Sequence, residues 1–181
     1  GTICLVDALN FEDSPEMDIT IKQVVVADLI LISKAEKLSG NQKEEVSKTL
    51  QKLNPFAEIK FSEKSVSKNI ELNSFLHHNK TEFDFVSISQ PHSKLETQTQ
   101  FYNQPINKDE FIRWLSYTLD IHKNKIYRIK GILCFENEPY EFILQGVGGS
   151  FEITEGDLIL GETKSKVVFI GMLDGLELDF G

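Results

Sequence analysis

The sequence predicts an α/β layer on a parallel sheet, followed by a small α+β domain with a mostly antiparallel sheet and one main helix. Two observations predict it. In the first 61 residues, short continuous apolar runs alternate with helix-like patterns, the signature of parallel strands joined by crossover helices. After residue 81, one capped amphipathic helix stands among several alternating strands. The charge supports the division: residues 1–80 carry 10 basic and 12 acidic side chains, residues 81–181 carry 9 and 16. A length of 181 residues accommodates two small domains.

In the first part, Thr2–Val6 is apolar and β-branched and reads as a buried strand ending at Asp7-Ala8. Ile19–Asp28 reads as a helix and Leu29–Ile32 as a second buried strand, closed by Ser33-Lys34-Ala35-Glu36. Asn41 with Glu44 three residues on predicts a capping box. The helix runs to Leu53, with Val46, Leu50 and Leu53 on one face, and Asn54-Pro55 ends it. Ala57–Phe61 is a third strand, and Ile70–Leu76 reads as a short helix. The polar stretch His77–Thr81 marks the boundary between domains at 1–78 and 82–181.

In the second part, Phe83–Ser89 and Thr97–Tyr102 alternate as strands. Asn107, with Glu110 three residues later, caps a helix from Lys108 to about His122, whose apolar face is Phe111, Trp114, Leu115, Thr118 and Leu119. Strands follow at Ile126–Phe135, Tyr140–Val147, Ser150–Ile153 and Lys166–Ile170, with Asn137-Glu138-Pro139 and Gly148-Gly149 as turns. Gly131, inside a strand, marks a bulge or a close backbone approach.

Composition excludes several classes. A net charge of −9 argues against broad nucleic-acid binding. No apolar run nears the ~20 residues that span a bilayer, so no membrane partner is expected. Cys4 and Cys134 lie in apolar strands and read as buried, reduced thiols of a cytoplasmic protein. Gly1 leads directly into an apolar run without a Met, which suggests a piece of a longer polypeptide. Gly156 and Gly161 have the separation of a phosphate loop, but Glu162-Thr163 follows them, so they read as turn glycines. His77, His78 and His92 read as solvated loop residues, and His122 as the basic end of a helix. Asp7 reads as a turn cap or a residue near Mg²⁺. The bases Lys108, Arg113, Lys123, Lys125, Arg128 and Lys130 read as a solvated face. No residues are assigned as catalytic or as metal ligands.

The strongest local signal is Ser33-Lys34-Ala35-Glu36 after the strand Leu29–Ile32. In a parallel α/β sheet, ligands bind at the carboxyl ends of strands. A lysine there can lay its stem along a purine, and a carboxylate two residues on can accept from the N1–H and N2–H₂ edge of guanine. Adenine offers no such donor pair. A solvated turn is the alternative reading of the same tetrapeptide.

The stretch Ile3–Phe11, then Gln23–Asp28 and the strand above, resembles the later part of the GTPase domain of the CobW-like family of P-loop GTPases. Trp114-Leu115, Arg128–Leu133, Leu144–Val147 and Val168–Asp174 resemble, in order, that family's C-terminal domain. The resemblance implies a partial P-loop-type sheet and guanine recognition by an Asn/Thr/Ser-Lys-x-Asp signature, here Ser33, Lys34 and Glu36, with Ser62 as a candidate to close the base pocket. Ser33 lacks the usual side-chain amide, and Glu36 is one methylene longer than Asp.

The family's Gly-x4-Gly-Lys-Ser/Thr loop and its Cys-x-Cys-Cys motif are absent from these 181 residues. The resemblance therefore implies a C-terminal portion of a GTP- and Mg²⁺-using metallochaperone that delivers Zn²⁺ or Co²⁺ to a client metalloprotein. Without the phosphate cradle, this chain by itself is expected to lack GTP hydrolysis and to hold no cofactor. Self-association through uncovered strand edges is a further expectation. The competing expectation is a non-catalytic protein–protein interaction module.

Overall fold

The computed structural model describes residues 1–10, 17–62 and 95–181. The short helix at Ile70–Leu76, the boundary at 77–81, the strand at Phe83–Ser89 and His77, His78 and His92 lie outside the described residues. The chain divides into two compact units, Gly1–Val86 and Ser87–Gly181.

In the first unit, β1 (Ile3–Asp7), α1 (Met17–Val26), β2 (Leu29–Ser33), α2 (Gly40–Leu53) and β3 (Glu58–Phe61) follow in order. The strands form a parallel sheet in the order β1-β2-β3, with Cys4 opposite Ile30 and Asp7 opposite Ser33. Right-handed crossovers between successive neighbours place both helices on one face. That face is dry: Cys4, Val6, Ile30 and Ile32 are buried with Val24, Leu50 and Leu53 of the helices. On the opposite face Ile3 and Leu5 are 45% and 68% exposed.

The helix α2 starts two residues earlier than its sequence suggests. Its cap is Ser39, not Asn41: the Ser39 hydroxyl accepts from the Gln42 backbone N–H and the Gln42 side chain returns to the Ser39 N–H. Gln supplies the same reciprocal acceptor as Glu, so two overlapping boxes compete in this stretch and the earlier one wins. Asn54 closes the helix and ties the unit together. Its buried amide Nδ2 lies 2.7, 3.0 and 2.8 Å from the carbonyl oxygens of Val24, Val25 and Ala27, and its Oδ1 accepts from Phe56 N–H at 3.0 Å.

In the second unit, β4 (Glu96–Tyr102), α3 (Lys108–His122), β5 (Ile126–Cys134), β6 (Tyr140–Val147), β7 (Ser150–Leu158) and β8 (Ser165–Gly171) build an antiparallel sheet in the order β4-β8-β5-β6-β7. The helix is the one the capping pattern predicts. Asn107 Oδ1 accepts from Glu110 N–H at 3.2 Å, and Asn107 Nδ2 donates to Glu136 at 3.3 Å. Phe111, Leu115 and Leu119 of α3 bury against Ile129, Leu133, Leu144, Val167 and Phe169. Trp114 and Phe180 extend this core, with ring centroids 5.5 Å apart.

β7 runs on to Leu158, beyond the predicted end at Ile153, because a register shift near Gly156 lets the strand bend and continue pairing with Tyr140. Gly131 is a close approach: a methyl group there would lie 2.7 Å from the Lys166 carbonyl oxygen of the adjacent strand. The basic run is not one solvated face. Arg128 and Lys130, on the central strand β5, are only 2% and 8% exposed. Lys108 lies over the Phe142 ring, and Lys123 reaches Asp120 on α3. Both cysteines are free and buried. No helix among the described residues is long and apolar enough to cross a membrane.

Candidate functional site

The carboxyl ends of β1, β2 and β3 meet at one edge of the parallel sheet, and the sequence-predicted residues gather there. Ser33 is the last residue of β2; its Oγ donates to the Val6 carbonyl oxygen at 3.0 Å, across the β1–β2 pair. Ser62 follows β3; it is buried, and its N–H donates to the Ile32 carbonyl oxygen at 2.8 Å. These two contacts fix the loop on both flanks of β2.

Lys34 turns the chain. It adopts φ 59° and ψ 18°, a left-handed conformation uncommon for a residue with a side chain. A short 3₁₀ turn, Ala35–Lys37, then begins, with Ala35 buried beneath it and Glu36 exposed upon it. The left-handed step sends the Lys34 side chain toward β1, where Nζ meets Asp7 Oδ2 at 2.6 Å. Backbone outliers of this kind concentrate where a loop must present side chains to a ligand.

Asp7 is the residue whose role the sequence left between two readings. The turn-cap reading is the one observed: Oδ1 accepts from Leu9 N–H at 3.0 Å and Oδ2 from Asn10 Nδ2 at 2.9 Å. The ion pair with Lys34 was hidden, because it depends on β1 and β2 being neighbours with Asp7 opposite Ser33. The Lys34 ammonium, foremost, and the Leu9 and Asn10 donors hold the Asp7 carboxyl below the usual aspartate range.

The edge thus presents a lysine stem strung between two strand ends and an exposed carboxylate two residues later. Chemically it can cover an apolar planar surface and accept hydrogen bonds at its margin. Among the described residues, no three His, Cys, Asp or Glu side chains gather to hold a metal ion. Gly156 lies within β7 and Gly161 beyond its end, away from any strand-to-helix turn of the phosphate-loop type.

Residues 1–61 match the family described as CobW/HypB/UreG, nucleotide-binding domain, and residues 97–179 match the cobalamin synthesis protein cobW C-terminal domain. Among solved structures, the Zn(II)-bound YjiA GTPase from E. coli is similar at 24% identity with a TM-score of 0.65. A Zn(II)-bound triple mutant of the YjiA GTPase is similar at 23% identity with a TM-score of 0.66. Each alignment covers 93% of this chain and 55% of the other, so the chain spans about half the length of these proteins. Two domain matches in the expected order, together with the shared fold, make this chain a member of the CobW-like family, joining part of its nucleotide-binding domain to its C-terminal domain.

Proposed function

We propose that this chain supplies the base-reading edge and the C-terminal domain of a GTP-binding protein that couples GTP hydrolysis to delivery of a transition metal, Zn²⁺ or Co²⁺, to a client metalloprotein. The observation that carries the reading is the left-handed Lys34, placed between two strand ends and followed by the exposed Glu36. In this reading the Lys34 stem lies along the guanine plane. The Glu36 carboxylate accepts from the N1–H and N2–H₂ groups. Ser33 and Ser62 keep the loop in place.

The second domain would sense the nucleotide state or receive the client. The phosphate grip and the Mg²⁺ site would come from polypeptide outside these 181 residues, since the Gly-x4-Gly-Lys-Ser/Thr pattern is not among them. Support for a metal-linked role comes from the similar proteins, which are Zn(II)-bound GTPases.

The test compares hydrolysis of GTP and ATP by the full gene product and by its Glu36→Ala variant. The reading expects the preference for GTP to collapse in the variant while kcat for GTP at saturation changes little, since Glu36 contributes binding and not chemistry. An unchanged preference would remove Glu36 from base recognition. An interaction module is the second reading, favoured by the exposed Ile3 and Leu5 on the face of the parallel sheet that carries no helix among the described residues. It expects no nucleotide preference at all.

A further inference from the structure

We infer that Asp7 is a positioning residue for base binding, holding Lys34 so that its methylene stem forms a fixed rail across the ends of β1 and β2. The inference rests on the base-reading proposal and extends it to a residue on a different strand.

The geometry carries it. A lysine on a surface loop ordinarily samples many rotamers, and ordering it on ligand binding costs conformational entropy. Lys34 is already ordered, because its ammonium sits 2.6 Å from Asp7 Oδ2. Asp7 is itself held: Oδ1 by the Leu9 N–H, Oδ2 by the Asn10 amide, and its backbone by β1 pairing. A carboxylate fixed by two further donors makes a better anchor than a freely rotating one. The anchor also suits the backbone, because the left-handed Lys34 directs its side chain back toward β1. The pair stays partly open, with the two side chains 47% and 31% exposed, so a planar ligand can reach the stem without breaking it.

A residue that only caps the β1 turn would leave the same hydrogen bonds to Leu9 and Asn10 but would have no reason to engage Lys34. The two roles separate by substitution. Asp7→Asn keeps a side-chain oxygen for Leu9 N–H and removes the acceptor charge facing Lys34. Lys34→Met keeps an apolar stem and removes the ammonium.

The experiment measures Kd for GDP and for ADP by calorimetry, using the full gene product, the two single variants, the double variant and Glu36→Ala. Asp7→Asn is expected to weaken GDP and ADP alike, by about fivefold, because the rail contacts the face of either purine. In the Lys34→Met background, Asp7→Asn is expected to add no further loss. Glu36→Ala is expected to erase the GDP-over-ADP preference. If Asp7→Asn weakens binding equally in both backgrounds, Asp7 acts on the turn alone and the positioning role is overturned. If it changes nothing in either background, the role is overturned as well. If Glu36→Ala leaves the preference intact, the base-reading proposal falls, and this inference falls with it.

Discussion

Ser33 Oγ and the Val6 carbonyl oxygen are joined at 3.0 Å, so the loop after β2 is tied to β1 by a hydroxyl where the family signature more often places an amide. The hydroxyl has a single proton to donate, and this bond uses it. Ser33→Ala is therefore expected to lower stability by about 1 kcal/mol, the net worth of a part-buried hydrogen bond. Ser33→Thr keeps the hydroxyl and is expected to be nearly neutral. Urea unfolding of the two variants against the parent checks both.

The Asn54 amide is a larger stake. Its removal in Asn54→Ala leaves the carbonyls of Val24, Val25 and Ala27 and the Phe56 N–H short of partners inside a dry layer. A loss of about 3 kcal/mol is expected, since buried polar groups left unpaired cost ~1–3 kcal/mol each and neighbours relax in part. Amide exchange in β2 and at the end of α1 is the sensitive measurement. Protection unchanged by the substitution would contradict the assignment.

Asp7 gives a pH dependence with a definite sign. Its carboxyl titrates below the aspartate range because the Lys34 ammonium favours the charged form. An aspartate whose folded value is depressed stabilises the fold above its unfolded value of about 3.9, and that contribution is lost as pH falls through the folded value. Carboxyl carbon NMR of Asp7 is expected to titrate below about 3.9, and to move back up toward the free-aspartate value in Lys34→Met. A midpoint that ignores Lys34→Met would contradict the ion pair.

The cysteines give a chemical check on the packing. Burial pushes the thiols of Cys4 and Cys134 up from their ordinary range, most strongly by loss of solvent. Thiolate is the reactive form, so both are expected to resist a disulfide exchange reagent at pH 8 and to react together on unfolding. Rapid modification of Cys4 in the native chain would mean that the helices do not seal their face of the parallel sheet.

Gly131 tests the antiparallel sheet. A methyl group there meets the Lys166 carbonyl oxygen at 2.7 Å, a backbone atom that cannot rotate away. Gly131→Ala is expected to cost about 2–3 kcal/mol through strain between β5 and β8. Thermal unfolding followed by Trp114 fluorescence reports on it, because Trp114 is the single tryptophan and lies in this unit's core.

What the sequence disclosed follows the reach of each signal. Asn107 and Glu110 are three residues apart, so the start of α3 could be read directly. The same local logic misplaced the start of α2, where Asn41 and Ser39 are both good caps and only the hydrogen bonds decide between them. The parallel order of β1, β2 and β3 was legible because each connection carries a helix. The insertion of β8 between β4 and β5 was not, because it pairs Val168 with Thr99 and Lys130 across long stretches of chain. For the same reason Arg128 and Lys130 looked like surface charges until β5 took the centre of its sheet. At the candidate site, Ser33, Lys34 and Glu36 could be named from a four-residue pattern, while Asp7 joined them only once two strands stood side by side.

The most direct test titrates the isotope-labelled full gene product with guanosine diphosphate and, separately, with adenosine diphosphate, following backbone amides by NMR. The account predicts shifts at Ser33, Lys34, Glu36 and Ser62 with the guanine nucleotide and much smaller ones with the adenine nucleotide. Equal responses to both, or none at the end of β2, would contradict it.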